Sequence, residues 1–198
     1  IIAEDFTFDN VRLCAQGVAE YLMANELSHK GLVVGYDTRF ASENFAAAAA
    51  EVIAGNNIKV HLCLKPAPTP VVSYTVPATQ AAGAIIITAS HNPYLWNGFK
   101  YKSQEGCSAS NEVISRIEEN ISRLVTDSYQ LSVKRLASDK ALKRGLIEYL
   151  DPAPPYFRHL TKLIDIEELG KQKLKVIVDS MYGAGAGYFK ELLENGNM

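Results

Sequence analysis

The sequence predicts an α/β fold: a mixed, mostly parallel sheet between helices, followed by the start of a second α/β domain. Three observations predict it. Short apolar, β-branched runs alternate with stretches of helical periodicity, and that alternation requires crossover connections. One run, Ala84-Ile85-Ile86-Ile87-Thr88, is apolar nearly throughout, as a central strand covered on both faces must be. Finally, 198 residues at 47% hydrophobic content suffice for one large domain and part of another.

Each element can be justified in order. Thr7 or Asp9 can cap a first helix, in which Val11, Cys14, Ala15, Val18 and Leu22 share one face. Leu32–Tyr36 reads as a strand. Ser42 is placed to cap a second helix whose Phe45, Ala49, Val52 and Ile53 face inward, and Gly55-Asn56-Asn57 ends it. Ile58–Leu64 is a second strand. Thr69-Pro70 supplies a cap and a first helical position for a third helix, which Pro77 shortens or kinks. After the triple-isoleucine strand, Ser90–Gly98 is a polar loop closed by the turn signal Asn97-Gly98. Phe99–Ser103 reads as another strand, possible in antiparallel pairing, and Ser110 can cap a charged helix over Asn111–Val125. Residues 126–150 carry no clear pattern.

The prolines of Asp151-Pro152-Ala153-Pro154-Pro155 cannot continue a helix and mark a boundary. A helix near Tyr156–Ile164, a strand Leu174–Asp179, a glycine-rich turn and a last helix are expected beyond it. The expected division is therefore 1–150 for the first domain and 151–198 for the opening of a second, unfinished α/β unit. The chain starts at Ile1, which is not expected to be the first residue of its gene.

Composition narrows the function classes. Twenty basic against 22 acidic residues give a net charge of −2, which argues against nucleic acid or an anionic membrane as the main partner. Lys134, Arg135, Lys140, Lys143 and Arg144 then read as a solvated face. The longest apolar stretch, Ala81–Ala89, is too short to span a bilayer, and no signal peptide opens the chain. Cys14, Cys63 and Cys107 fit neither a disulfide framework nor zinc-ligand spacing, so a cytoplasmic setting is expected. Gly183-Ala184-Gly185-Ala186-Gly187 is weak as a nucleotide loop, and tight packing of strand, turn and helix would account for it equally well.

Ligands of open α/β sheets bind outside the carboxyl ends of the strands. Asp37-Thr38-Arg39 follows the first strand, and Thr88-Ala89-Ser90-His91-Asn92-Pro93 follows the triple-isoleucine strand. Parallel pairing would open both loops on one edge, and Lys100 can point back to it. Arg39 and Lys100 could hold phosphate oxygens, and His91 or Lys100 could move a proton. Asp37 is read as fixing its loop. Ser90-His91 is not a hydrolase dyad by itself, because neighbours on extended backbone point apart. The Gly-x-Ser-x-Gly elbow is also absent. A serine that receives and donates phosphate is the better reading.

At these residues the sequence resembles the α-D-phosphohexomutases, the phosphoglucomutase/phosphomannomutase family. The resemblance rests on Thr88–Pro93, Asn97-Gly98-Phe99-Lys100, Gly35–Arg39, Pro66–Pro70 and Asp179–Gly185. It implies a phosphoserine at Ser90, with His91 and Lys100 as active-site partners and Arg39, Asn92 and Lys100 near substrate. It implies transfer between the 1- and 6-positions of glucose or mannose phosphate through a bisphosphorylated sugar. Glucose 1,6-bisphosphate would be the activator. Magnesium is implied too, with the Ser90 phosphate as one ligand and its aspartates beyond Met198. On the same resemblance a Gly-rich segment precedes Ile1, and the fragment alone is inactive. Hexose phosphates are the implied partners, and oligomeric state is left open. Two alternatives stay open: a glucosamine phosphate specificity, which Phe99 weighs against, and a noncatalytic sugar-phosphate binder. A serine hydrolase would need a distant histidine and acid around Ser90.

Overall fold

The computed structural model describes residues 1–126, 133–171 and 175–194. Helix α1 (Phe8–Ala24) is capped by Thr7, whose side chain accepts from the Asn10 amide. Val11, Ala15, Val18 and Leu22 of its apolar stripe are buried, and Cys14 lies half-buried at the margin. There follow β1 (Leu32–Tyr36), α2 (Ser42–Gly55), β2 (Val60–Cys63), α3 (Thr69–Thr79), β3 (Ala84–Ile87), β4 (Phe99–Lys102) and α4 (Asn111–Thr126). The later elements are α5 (Ser138–Lys143), β5 (Ile147–Leu150), α6 (Ala153–Leu163), α7 (Ile166–Gly170) and α8 (Tyr188–Glu194).

The strands of the described residues form one sheet in the order β4-β3-β1-β2-β5. β1 pairs in parallel with β2 (Val34 opposite Leu62) and with β3 (Val34 opposite Ile85), and β2 pairs in parallel with β5. β4 is antiparallel, with Ile87 opposite Phe99 and Ile86 opposite Lys100. The mixed, mostly parallel sheet is as expected. Helix α2 packs on one face together with α1 and α4, and α3 packs on the other with α6 beside it. Every side chain of β3 is buried, because both faces are covered. Gly35 of β1 admits α3, since a Cβ there would lie 2.6 Å from Val72 Cγ2.

Several expectations need correction. Ser42 does not cap α2. The cap is Ala41 in a left-handed conformation, and the Ser42 hydroxyl is engaged elsewhere. The second strand is shorter than Ile58–Leu64, running only over Val60–Cys63. The patternless stretch contains α5 and β5, and β5 extends the sheet. The helix expected near Tyr156–Ile164 begins earlier, at Ala153, with Pro154 and Pro155 in its first turn, where a proline loses no hydrogen bond. Residues 175–179 are not a strand; they have no regular secondary structure and are exposed, and Leu174 lies outside the described residues.

In the glycine turn only Gly183 is closely packed, since a Cβ there would stand 3.0 Å from the Ser180 carbonyl oxygen. A Cβ at Gly185 or Gly187 would meet nothing within 4 Å, and Gly187 owes its identity to a φ of +86°. Arg135 leaves the predicted basic face to pair with Glu51 at 2.7 Å. No helix among the described residues is long and apolar enough to cross a membrane.

Candidate active site

From β1 the chain crosses to β2 on one side, and from β2 it returns over β1 to β3 on the other. The crevice between the carboxyl ends of β1 and β3 is therefore the switch point at which open α/β sheets bind ligands. Both candidate loops leave from it. The ladder runs on into them: the Asp37 amide donates to the Ile87 carbonyl at 3.1 Å, and the Thr88 amide to the Gly98 carbonyl at 2.9 Å.

Ser90 lies at the head of the second loop with φ +55°, a left-handed conformation uncommon outside glycine and asparagine. Its amide donates to Thr88 Oγ1 at 3.0 Å. Residues 90–96 are exposed, so the hydroxyl faces solvent from a rigid base. Lys100 comes back along β4 and donates from Nζ to Ser90 Oγ at 2.5 Å. The antiparallel hairpin is what makes this possible, because it returns the chain to the edge it has just left. The turn into β4 needs Gly98, where a Cβ would stand 2.8 Å from the Thr88 carbonyl oxygen.

Arg39 enters from the first loop and lies beneath the second. Nη1 donates to the carbonyls of Pro93 (2.9 Å) and Trp96 (3.0 Å). Nη2 donates to those of Ser90 (2.7 Å) and Asn92 (2.6 Å). Nε stands 3.4 Å from Asp37 Oδ2. Arg39, expected to hold phosphate oxygens, thus has its Nη donors on four loop carbonyls and its Nε facing Asp37. Asp37 does fix its loop, with Oδ1 accepting from the Arg39 amide at 3.0 Å and from the Ser42 hydroxyl at 2.9 Å. Ser42 in turn accepts from Asn97 Nδ2 at 2.9 Å, and Asn97 Oδ1 accepts from the Gly98 amide. A buried chain of polar contacts thus joins the two loops.

His91 and Asn92 are exposed beside Ser90. The Asn92 amide donates to the Ala89 carbonyl, and among the described residues the His91 ring makes no hydrogen bond. Sequence reasoning read Ser42 only as a helix cap, and Asn97 as a turn residue and part of the family motif, not as members of this polar chain. The signal available for Asn97 was its place beside Gly98; for Ser42 there was none. At the loop's outer side the Ile2 amide donates to the Leu95 carbonyl at 2.9 Å.

No group of three or more histidine, cysteine, aspartate or glutamate side chains that could hold a metal occurs among the described residues. The groups nearest Ser90 Oγ are cationic or neutral, so these residues do not fit a magnesium cage by themselves. A phosphate on Ser90 would supply one oxygen ligand.

A serine hydroxyl and a lysine cation meet at the switch point of an open α/β sheet of the kind that binds ligands there. Comparison with known proteins gives the narrower placement. The family profile for phosphoglucomutase/phosphomannomutase, alpha/beta/alpha domain I, matches residues 1–127. The chain belongs to the phosphoglucomutase/phosphomannomutase family.

It is 29% identical over 194 residues to a phosphoglucomutase of Staphylococcus epidermidis, a match covering 97% of this chain and 34% of that protein. With a phosphoglucomutase of Staphylococcus aureus it shares 30% over 200 residues, covering 97% and 33%. The crystal structure of a Thermus thermophilus protein, provisionally described as a phosphomannomutase, superposes with a TM-score of 0.82. It is 33% identical, and the match covers 97% of this chain and 40% of that one. Parafusin of Paramecium, a phosphoglucomutase in its open form, shares the fold at a TM-score of 0.77 and 21% identity, over 96% and 39% of the two chains. The chain thus spans about a third of the length of the curated relatives it matches.

Proposed function

We propose that the protein carrying this chain is a phosphohexose mutase, moving phosphate between the 1- and 6-positions of glucose or mannose phosphate, with Ser90 as the phosphoryl carrier. The observation that carries the reading is the contact of Lys100 Nζ with Ser90 Oγ in the switch-point crevice. Relatives named for glucose and for mannose both match, so either sugar is compatible with the family. Residues 1–150 would form the first domain, and 151–198 would open the second.

In the forward step a hydroxyl of the hexose monophosphate attacks the phosphorus of phospho-Ser90. The new O–P bond forms as the P–Oγ bond breaks, and the product is a hexose bisphosphate. Lys100, already in contact with Oγ, would donate to it as it leaves, and His91, exposed beside Ser90, would take the attacking hydroxyl's proton. Return of the other phosphate to Ser90 reverses the chemistry at the second position. Magnesium bound to the phosphoserine would neutralise charge on the transferring group, with its remaining ligands supplied from outside the described residues.

The test is peptide mass spectrometry of the full-length protein, before and after exposure to glucose 1,6-bisphosphate with magnesium. A phosphate mapped to Ser90 and lost on adding hexose monophosphate is the expected outcome, and Ser90→Ala should abolish both it and turnover. An unmodified Ser90 in folded protein would refute the carrier role. Glucosamine phosphate in parallel tests the sugar.

A further inference from the structure

We infer that Arg39 is a positioning residue: by holding the carbonyls of the Ser90 loop it turns that loop's amides toward the phosphoryl group, and it does not itself touch substrate. The inference rests on Ser90 being the carrier. The guanidinium fork offers five N–H groups in one plane. Four go to loop carbonyls and the fifth faces Asp37. None remains for a phosphate oxygen. The side chain is only 14% exposed, and the Asp37 carboxylate beside it offsets its charge.

What the fork does to the loop follows from peptide geometry. A trans peptide unit is planar, with its N–H directed opposite to its C=O. The Ser90 carbonyl points at Arg39, so the His91 amide of the same unit points away from it. The Pro93 carbonyl likewise aims the Tyr94 amide away. Neither amide donates a hydrogen bond among the described residues. Outward amides beside a left-handed residue make a concavity that suits anions, and Ser90 is that residue. Arg39 thus lends positive potential to the site at second hand, through the peptide dipoles it orients. A lysine could not substitute: a single ammonium cannot span carbonyls from Ser90 to Trp96.

The experiment uses the full-length enzyme with Arg39→Gln, Arg39→Lys and Arg39→Ala, followed by amide hydrogen exchange and steady-state kinetics. In R39Q the hydrogen-bonded amides of Thr88, Ser90, Asn92, Trp96 and Gly98 should exchange roughly tenfold or more faster, because several charge-assisted hydrogen bonds that hold the loop are lost. Those of β1 and β2 should hold, showing an intact fold. kcat should fall roughly ten- to a hundredfold, as expected of a misplaced reacting group, with KM changed less than about twofold. R39K should behave as R39Q does. Guanidinium below denaturing concentration should restore R39A, which loss of mere bulk would not allow.

Unchanged loop exchange would overturn the inference, as would a raised KM at constant kcat, the mark of a direct substrate contact. Should the wild-type Ser90 accept no phosphate while the variants still loosen the loop, the carrier reading fails and the clamp stands. If R39Q and R39A fail to fold, R39K carries the same two readouts.

Discussion

The Ser42 hydroxyl shows how much the site depends on a residue far from its chemistry. Ser42 is 1% exposed and bridges Asp37 on one loop and Asn97 on the other. Ser42→Ala should cost about 1–3 kcal/mol, because it strands a buried amide donor. The measurement is a urea titration against wild type, and a loss below a few tenths would mean that water replaces the hydroxyl. In the sequence this role was invisible. A serine at the start of a helix looks the same whether it caps or bridges, and its partners lie five and 55 residues away. The Ser90 loop was legible for the opposite reason, because its motif is contiguous and follows an unmistakable strand. Arg39 lay between these cases. Its residue type was noticed, but four backbone carbonyls leave no trace in a sequence.

Among the elements, the stretch after α4 is the instructive case. β5 alternates too briefly to stand out, and its pairing with β2 is supported by contacts that only the fold supplies. The Lys59 and His61 side chains flank Glu148 at 2.8 and 2.7 Å. Glu51 anchors the approach to α5 from the middle of α2. Its carboxylate accepts from Arg135 Nε at 2.7 Å, from the Ser138 amide at 3.0 Å and from the Ser138 hydroxyl at 2.8 Å. Burial alone would raise its pKa. The hydrogen bonds from Arg135 and Ser138, with the arginine's charge, outweigh that and hold it below the usual glutamate range. A depressed carboxylate stabilises the fold above its unfolded pKa, and that contribution disappears as pH falls through its folded value. Glu51→Gln should therefore cost about 1–3 kcal/mol near neutrality, and the gap to wild type should close in acid. Denaturation midpoints of the two proteins over a pH series check it. A gap independent of pH would show that packing, not charge, is at work. The ion pair with half-exposed Arg135 is the smaller part of this figure.

At the scale of the molecule, the two ends of the chain differ in character. The sheet and its helices bury an extensive apolar core. By contrast Val176, Ile177, Val178, Met181 and Tyr182 stand exposed, Ile177 at 89% and Tyr182 at 98%. An apolar run of this kind seeks cover. The 198-residue chain by itself should associate as its concentration rises, and Ile177→Asp should weaken that association. Sedimentation velocity over a concentration series reads it directly, and a monomer throughout would show that this surface is tolerated. The sequence placed a strand here on sound β-propensity, but a strand needs a neighbour to pair with, and the described residues provide none.

The polar chain from Arg39 through Asp37 and Ser42 to Asn97 also has a mechanical consequence. It lashes the two walls of the crevice together, so they cannot spread without breaking buried contacts in several places at once. On the proposed reaction, which must present first one end of a sugar and then the other, walls that hold still would leave the turning to the guest. This side of the crevice is built as an anvil, on which Ser90 and Lys100 keep their spacing.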